Sequence, residues 1–83
     1  MAQTVTKEAI QGWLVNKIAA TLRVDPVRID PKEPFASFAL DSVGALRIVG
    51  ELEEFLGRQL EPTLLYDHRD IESLSTYLES ESE

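Results

Sequence analysis

The chain has 83 residues, 43% of them hydrophobic and 7% aromatic, which suits one small domain with little room for an enclosed active site. Its net charge of −7 is unevenly distributed, because the first forty residues hold four acids and five bases and the rest hold eleven acids and three bases. The acidic second half argues against nucleic acid or an anionic membrane as partner and favours basic protein surfaces. The absence of cysteine excludes disulfides and thiolate metal sites, and a single histidine, His68, gives no reason to expect a metal site.

The hydropathy pattern predicts no membrane association. No apolar run approaches the length needed to span a bilayer, and the first four residues lack the charged-then-apolar order of a signal peptide. We therefore expect a soluble, cytoplasmic protein. Residues 1–5 are expected to form a disordered lead.

The first predicted helix follows Thr6, a residue type that is typical of an N-cap, with Glu8 in the first turn where its charge complements the helix dipole. Trp13 lies at the edge of its apolar stripe, where a partly buried packing role is expected. The stripe itself recurs at helical spacing and is predicted to face a core: Ile10, Leu14, Val15, Ile18, Ala19 and Leu22.

The segment from residue 23 to residue 40 loses this periodicity. Its three acid–proline pairs, ending in Pro26, Pro31 and Pro34, are turn signals that bias the preceding residue away from helix. A loop of this length is uncommon in a compact domain unless it is anchored or functional. We expect five apolar side chains to anchor it to the helices, with the two aromatic residues strongest: Val24, Val27, Ile29, Phe35 and Phe38.

The second predicted helix runs from about Ser42 to Leu56. Residues placed at 100° intervals give a broad buried face, made of Ala45, Ile48, Val49, Leu52, Phe55 and Leu56. Leu46 lies at the border between the faces. The opposite side carries one apolar residue next to the serine, one basic residue, one glycine and two acids: Val43, Arg47, Gly50, Glu51 and Glu54.

The remaining sequence predicts one short helix and one longer helix. Gly57 is a natural residue to end the second helix, and Thr63 is predicted to cap the short segment of residues 64–66. A last helix is predicted to begin at Asp70, with Glu72 in its first turn. The fold class is therefore all-α, a small bundle of three main helices plus one short helix with a long loop between helices 1 and 2. We expect one domain with an ordered core at about residues 6–79 and a flexible acidic tail at residues 80–83.

Catalysis by the chain itself is not expected. A hydrolase triad would need Ser42, His68 and a carboxylate to converge beside an oxyanion hole. His68 lies in a polar connector and is interpreted as a solvent-exposed turn residue. Glycine-rich phosphate loops and paired carboxylates around a cleft are missing from the sequence. We therefore predict a protein that is not an enzyme.

The Asp41-Ser42 pair admits two interpretations. A serine at a helix start is usually an N-cap. Three features favour an attachment point instead: the serine ends an anchored loop, a helix N-terminus stabilises a phosphate ester, and Val43 offers an outward apolar contact. The residues alone leave both interpretations open.

Two segments together resemble the acyl carrier proteins, above all the carrier domains of polyketide synthases. They are Leu40-Asp41-Ser42-Val43, continued by Leu52-Glu53 on the same helix, and Thr63-Leu64-Leu65-Tyr66-Asp67. The resemblance covers about residues 6–79. It implies that a separate Mg²⁺-dependent phosphopantetheinyl transferase attaches 4′-phosphopantetheine from coenzyme A to Ser42, with Asp41 assisting that complex. The thiol of the arm would then carry acyl or polyketide intermediates as thioesters.

The same resemblance implies the partners and the surfaces they contact. The partners would be the phosphopantetheinyl transferase, an acyltransferase or acyl ligase, a ketosynthase and other polyketide synthase enzymes, acting on a monomer. The recognition face would consist of Val43, Arg47, Gly50, Glu51 and Glu54. A possible acyl pocket would include Phe38, Leu46 and Leu64.

Departures from the family pattern bear on the type of carrier. Arg47 and Gly50 replace acidic and bulky apolar residues common on the recognition helix of bacterial fatty-acid carriers, and His68-Arg69-Asp70 replaces a frequent aromatic-Pro-Thr turn. The Gly-Gly that usually precedes the serine pair of peptidyl carriers is missing. These features favour a polyketide carrier over a carrier for fatty-acid or peptide synthesis. The alternative from another class is a carrier-like adaptor that is never modified and acts only by protein–protein contact.

Overall fold

The computed structural model of the chain describes residues 6–38 and 40–81. These residues form four α-helices, namely α1 (Lys7–Leu22), α2 (Ser42–Leu56), α3 (Leu64–Asp67) and α4 (Ile71–Glu81). They contain no β-strand, and no helix among them is long and apolar enough to cross a bilayer. The predicted all-α class, with three main helices and a short one, is confirmed.

The helix ends follow the predicted local signals. Thr6 caps α1, because its Oγ1 accepts a hydrogen bond from the backbone N–H of Ala9 at 3.1 Å. Gly57 follows the last residue of α2 with a left-handed φ of 69°, a conformation that glycine adopts without steric cost. Asp70 precedes α4, and its Oδ1 accepts from the N–H of Ser73 at 2.8 Å.

Two predicted ends need correction. Thr63 precedes α3 but makes no side-chain capping hydrogen bond; its hydroxyl instead donates to Asp67 Oδ2 at 3.2 Å. Helix α4 continues to Glu81, so residues 80 and 81 are helical rather than part of a flexible tail. Residues 82–83 of that tail, and the predicted lead at residues 1–5, lie outside the described residues.

The core lies between α1, α2 and α4. Helix α1 packs against α4, and the backbone N–H of Lys7 donates to Glu79 Oε2 at 2.8 Å, which joins the two helices at one end. Three residues of the predicted apolar stripe of α1 have no exposed surface. The residues with no exposed surface from these three helices are Ile10, Leu14, Ile18, Leu52, Ile71, Leu74, Ser75 and Leu78.

The long loop contains two short 3₁₀-helices that periodicity did not predict, Pro26–Arg28 and Phe35–Phe38. Ile29, Phe35 and Phe38 are buried and anchor the loop as expected. The prediction is wrong for Val24 and Val27, which are 39% and 85% exposed. Successive side chains of a 3₁₀-helix point about 120° apart, so the turn that leads Ile29 into the core directs Val27 to solvent.

The second half of the loop is tied to the start of α4. The N–H of Phe35 donates to the carbonyl oxygen of Arg69 at 2.9 Å, and the N–H of Glu72 donates to the carbonyl oxygen of Pro31 at 3.0 Å. These bonds join residues that are far apart in the sequence. They hold the end of the loop, and with it the start of α2, against the connector between α3 and α4.

Candidate functional site

The start of α2 is capped by Asp41, and Ser42 is the first residue of the helix. Asp41 has extended backbone angles, and its Oδ1 accepts a hydrogen bond from the N–H of Gly44 at 2.6 Å. The interpretation of Ser42 as the N-cap is therefore wrong. Aspartate is as good a cap as serine, and its negative charge also complements the helix dipole, which explains why the cap falls one residue earlier.

The Ser42 hydroxyl is left exposed by this arrangement and makes no hydrogen bond with the described residues. The backbone N–H groups of Ser42 and Val43 likewise have no partner among those residues. Free amides and the helix dipole both favour negative charge at this end. The site therefore presents a free hydroxyl next to a place that stabilises an anion.

Gly44 lies directly against this cap. A Cβ atom at position 44 would lie 3.0 Å from Asp41 Oδ1, closer than side-chain carbons normally approach an oxygen. The missing side chain avoids this tight contact with the carboxylate that accepts the bond from its N–H. Glycine lowers the stability of a helix, and at position 44 this loss accompanies a close fit of the backbone to Asp41.

The predicted recognition face surrounds Ser42 on the outer side of α2. Val43 is 67% exposed, which confirms that it points outward. Arg47 and Glu54 are also exposed, and Gly50 is half-buried. Leu46, predicted at the border between the faces, is 53% exposed and adds a second apolar residue beside Val43.

Glu51 differs from the other residues of this face. Its Oε1 lies 2.7 Å from Lys17 Nζ of α1, and the Lys17 ammonium lies 5.5 Å from the centroid of the Trp13 ring. Glu51 is half-buried, and part of its charge is neutralised within the molecule. Of the two acids on the predicted recognition face, Glu54 is the one that has no ion pair with the described residues.

Phe55 lies at the edge of the helix packing rather than in the buried face. It is 42% exposed, and its ring stacks on Trp13 with centroids 5.4 Å apart and an interplanar angle of 18°. The prediction that Phe55 is buried is therefore wrong, while the partly buried role of Trp13 is confirmed. The single tryptophan of the chain thus covers one face of the Phe55 ring.

A cavity of about 310 Å³ lies between the loop, the first turns of α2, and α3. We call it the loop cavity. Leu40 and Ala45, which flank Ser42 in the sequence, both contribute to its wall. Its lining comes from the loop, α2, α3 and the α3–α4 connector: Pro34, Phe35, Ala36, Leu40, Ala45, Leu65, Tyr66, His68 and Arg69.

The three residues predicted for an acyl pocket are not brought together in the loop cavity. Phe38 and Leu64 are buried, at 6% and 3% exposure, and Leu46 is exposed on the outer side of α2. None of the three lines the loop cavity. The prediction named residues of α2 and α3, and both helices do contribute to the lining of the loop cavity. Which of their residues do so depends on how the loop packs against α3, and the local sequence does not indicate this packing.

His68 is half-buried, with its ring centroid 4.5 Å from that of Tyr77, and it lines the loop cavity. The prediction of a solvent-exposed turn residue is therefore wrong. Sequence reasoning missed this role because Tyr77 reaches His68 only through the packing of α4. No hydrogen bond joins His68 to Ser42 within the described part of the chain, so the geometry does not form a nucleophile–base pair.

Comparison with known proteins gives a consistent result. Residues 12–78 match the family described as a phosphopantetheine attachment site. A phenolphthiocerol/phthiocerol polyketide synthase of Mycobacterium tuberculosis is 38% identical over 78 residues; these cover 94% of this chain and 4% of the synthase polypeptide. The acyl carrier protein TtuC of Teredinibacter turnerae is 32% identical over 75 residues, which cover 90% of this chain and 86% of TtuC.

Among solved structures, a free-standing peptidyl carrier protein from a secondary metabolic pathway of Acinetobacter baumannii superimposes with a TM-score of 0.88. It is 40% identical to this chain, and the match covers 94% of this chain and 98% of the other. The fold and the order of its elements are therefore shared over nearly the full length of both proteins.

Proposed function

The chain belongs to the family of phosphopantetheine attachment sites, whose members carry a 4′-phosphopantetheine group and act as carriers rather than catalysts, and we propose that Ser42 is its attachment residue. One observation carries this proposal: Asp41 caps α2, so the exposed hydroxyl of Ser42 is free to form the ester. The free N–H groups of Ser42 and Val43 support it further, because they would stabilise the negative charge of a phosphodiester.

Asp41 has a positioning role in this proposal. Its bond to Gly44 fixes the first turn of α2 and leaves the Ser42 hydroxyl outside the capping interaction. The arm itself supplies the chemistry when bound, since its terminal thiol forms thioesters with acyl groups. The chain contributes the position of the ester and the surfaces around it.

We infer that the cargo is an acyl or polyketide intermediate. The similarity to the mycobacterial polyketide synthase supports this inference, and TtuC is named an acyl carrier protein. The chain spans 4% of the length of that synthase polypeptide, so only the carrier step is transferred to it. The proposed partners are a phosphopantetheinyl transferase, an acyltransferase or acyl ligase, and a ketosynthase, all acting on a cytoplasmic monomer through the outer side of α2.

A second candidate is a carrier for peptide synthesis. The similarity to the peptidyl carrier of Acinetobacter baumannii, at 40% identity, favours it. The two candidates share Ser42 and the arm and differ in the cargo. The mass of the group bound to the arm in protein from the native host separates them, because an aminoacyl group contains nitrogen and a polyketide intermediate does not require it.

Intact-protein mass spectrometry tests the attachment site. Incubation with coenzyme A, Mg²⁺ and a broad-specificity phosphopantetheinyl transferase should add the mass of one phosphopantetheine to the parent. Ser42→Ala should add none, because it lacks the nucleophilic oxygen. Ser37→Ala serves as the matched control, since Ser37 is another exposed serine near the end of the loop, and it should be modified like the parent.

Two results would count against the proposal. A folded parent that gains no mass would favour the unmodified adaptor, which acts only by protein–protein contact. A Ser42→Ala variant that still gains one phosphopantetheine would place the attachment on another residue. Circular dichroism of each variant confirms that the helices are intact before the masses are compared.

A further inference from the structure

We propose that the loop cavity selects acyl cargo that carries a carboxylate at the far end of a short apolar segment, and that Arg69 is the residue that recognises this carboxylate. The proposal rests on the proposed attachment of the arm to Ser42 and names the class of cargo that the arm would hold. It concerns Arg69 and His68, two residues at which the sequence departs from the family pattern.

The position of the loop cavity makes it accessible to a chain tethered at Ser42. Leu40 lies two residues before the serine and Ala45 three residues after it, and both form part of the wall. Ala45 is buried and small, and a larger side chain at that position of α2 would occupy the space. A tethered acyl group can therefore fold back beside its own attachment point.

The lining combines apolar walls with a few polar groups. Phe35, Leu40 and Leu65 supply apolar surface, and His68 and Arg69 supply nitrogen donors on the connector side. Binding sites for small molecules commonly show this composition, in which apolar walls give affinity and a few polar groups fix orientation. A purely alkyl chain would use the walls and leave both donors without a role.

Arg69 is the residue of the lining that indicates an anionic ligand. Arg69 lines the cavity, is exposed, and forms no ion pair with the described residues, although the chain carries a net charge of −7. A guanidinium group matches a carboxylate in two parallel hydrogen bonds. The backbone of Arg69 is fixed, because its carbonyl oxygen accepts from Phe35, so the side chain starts from a defined point.

His68 is the second nitrogen-bearing residue of the lining. Its ring is held against Tyr77, with centroids 4.5 Å apart, so that it stays in the cavity wall instead of turning into solvent. A ring nitrogen can donate one hydrogen bond to a carboxylate oxygen. His68, Arg69 and the apolar Leu65 therefore all contribute to the wall of the cavity.

The phosphodiester of the arm is a second source of negative charge near the site. The carboxylate of the cargo and the phosphodiester are both anions tethered to Ser42, and a guanidinium group could bind either. We assign Arg69 to the cargo, because the free N–H groups at the start of α2 would serve the phosphodiester. The experiment below separates the two sources.

The test compares three loaded forms of the full chain made with a broad-specificity transferase and the corresponding coenzyme A derivatives. These are the arm alone, the glutaryl form and the hexanoyl form; the two acyl groups are of similar length and differ in the terminal carboxylate. The glutaryl form should unfold about 4 °C above the hexanoyl form, because the carboxylate is bound. The amide NMR signals of Leu40, Ala45 and Leu65 should shift further in the glutaryl form than in the form with the arm alone.

Arg69→Gln should abolish the difference between the glutaryl and hexanoyl forms. It keeps the backbone carbonyl and a long side chain and removes the positive charge. Arg28→Gln is the matched control, because Arg28 is an exposed arginine on the first 3₁₀-helix and does not line the loop cavity, so it should keep the difference.

Three outcomes would overturn the proposal. The glutaryl and hexanoyl forms could unfold at the same temperature, or Arg69→Gln could retain their difference. The arm alone could also raise the melting temperature in a way that Arg69→Gln removes, with no further effect of either acyl group, which would assign Arg69 to the phosphodiester. Failure of the attachment at Ser42 is distinguishable, because either no form would gain mass or the Ser42→Ala variant would gain it as well.

Discussion

At the scale of single residues, the division of roles between Asp41 and Ser42 determines what the site can do. Both residue types are good N-caps, and either could accept the hydrogen bond that closes the first turn of α2. Because Asp41 accepts it from Gly44, the hydroxyl of Ser42 is left without a partner among the described residues. The sequence could not settle this, since a shift of one residue in the cap exchanges the two roles.

Replacing Asp41 with alanine tests the cap directly. The variant should be less stable by about 1 kcal/mol, because the N–H of Gly44 loses its acceptor. For a domain of this size, this lowers the melting temperature by about 4–8 °C. Thermal unfolding followed by circular dichroism measures the change.

Asp41→Asn is the control for this prediction. Asparagine keeps a side-chain oxygen that can accept from Gly44, so this variant should lie close to the parent. An alanine variant as stable as the parent would contradict the assignment of the cap to Asp41. An asparagine variant as unstable as alanine would show that the negative charge at the helix end, rather than the hydrogen bond, provides the stability.

At the scale of the elements, the outer side of α2 contains two acids in different situations. Glu51 is joined to Lys17 of α1 at 2.7 Å, whereas Glu54 is exposed without an ion pair in the described part of the chain. A basic partner surface would meet the full charge of Glu54 and only part of the charge of Glu51. The two positions should therefore respond differently to the same substitution.

Charge reversal separates a partner contact from an internal contact. Glu54→Lys should slow the transfer of phosphopantetheine to Ser42 at low salt by roughly tenfold with an unchanged melting temperature, because it removes attraction to a basic partner surface. Glu51→Lys should slow transfer and also lower stability by about 0.5 kcal/mol, since it breaks the ion pair with Lys17. The measurements are transfer rates over a salt series and thermal unfolding.

Glu61→Lys is the control, because Glu61 is exposed and lies in the segment between α2 and α3, outside the predicted recognition face. It should leave the transfer rate close to that of the parent. If Glu54→Lys and Glu51→Lys both transfer like the parent at low salt, the recognition face lies elsewhere on the molecule.

The bounds of the helices could be predicted from the sequence because their causes are local. Thr6, Gly57 and Asp70 act within one turn of their own positions, and the spacing of apolar residues is a property of each helix alone. The two 3₁₀-helices were missed because segments of three or four residues have no measurable periodicity. The burial of Phe55 was predicted wrongly for another reason. Its exposure depends on how much of its ring the Trp13 side chain covers, and this is a contact between α1 and α2.

At the scale of the whole molecule, the site depends on contacts between distant segments. The bond from Phe35 to Arg69 and the bond from Glu72 to Pro31 fix the loop against the α3–α4 connector. The loop cavity forms where these segments meet the first turns of α2. Its lining could not be predicted from periodicity, because it requires the register of the loop on α3, which is set by long-range contacts.

The core shared by α1, α2 and α4 contains one exception to its apolar composition among the described residues. Ser75 has no exposed surface, and its Oγ has no hydrogen-bond partner in that part of the chain. A buried hydroxyl without a partner costs about 1–3 kcal/mol in lost hydration. The core of this small domain is therefore less stable than its packing would allow.

Ser75→Ala should raise the stability of the protein for this reason. Alanine removes the unpaired hydroxyl, deletes a single heavy atom and has a higher helix propensity than serine. We expect a gain of about 1 kcal/mol, which corresponds to a melting temperature about 4–8 °C higher, measured by thermal unfolding. Ser73→Ala on the exposed side of α4 is the control and should change the melting temperature much less, because the Ser73 side chain is already hydrated. A lower melting temperature for Ser75→Ala would show that the hydroxyl stabilises the core through its volume or its contacts, and would contradict the assignment of Ser75 as an unpaired polar group.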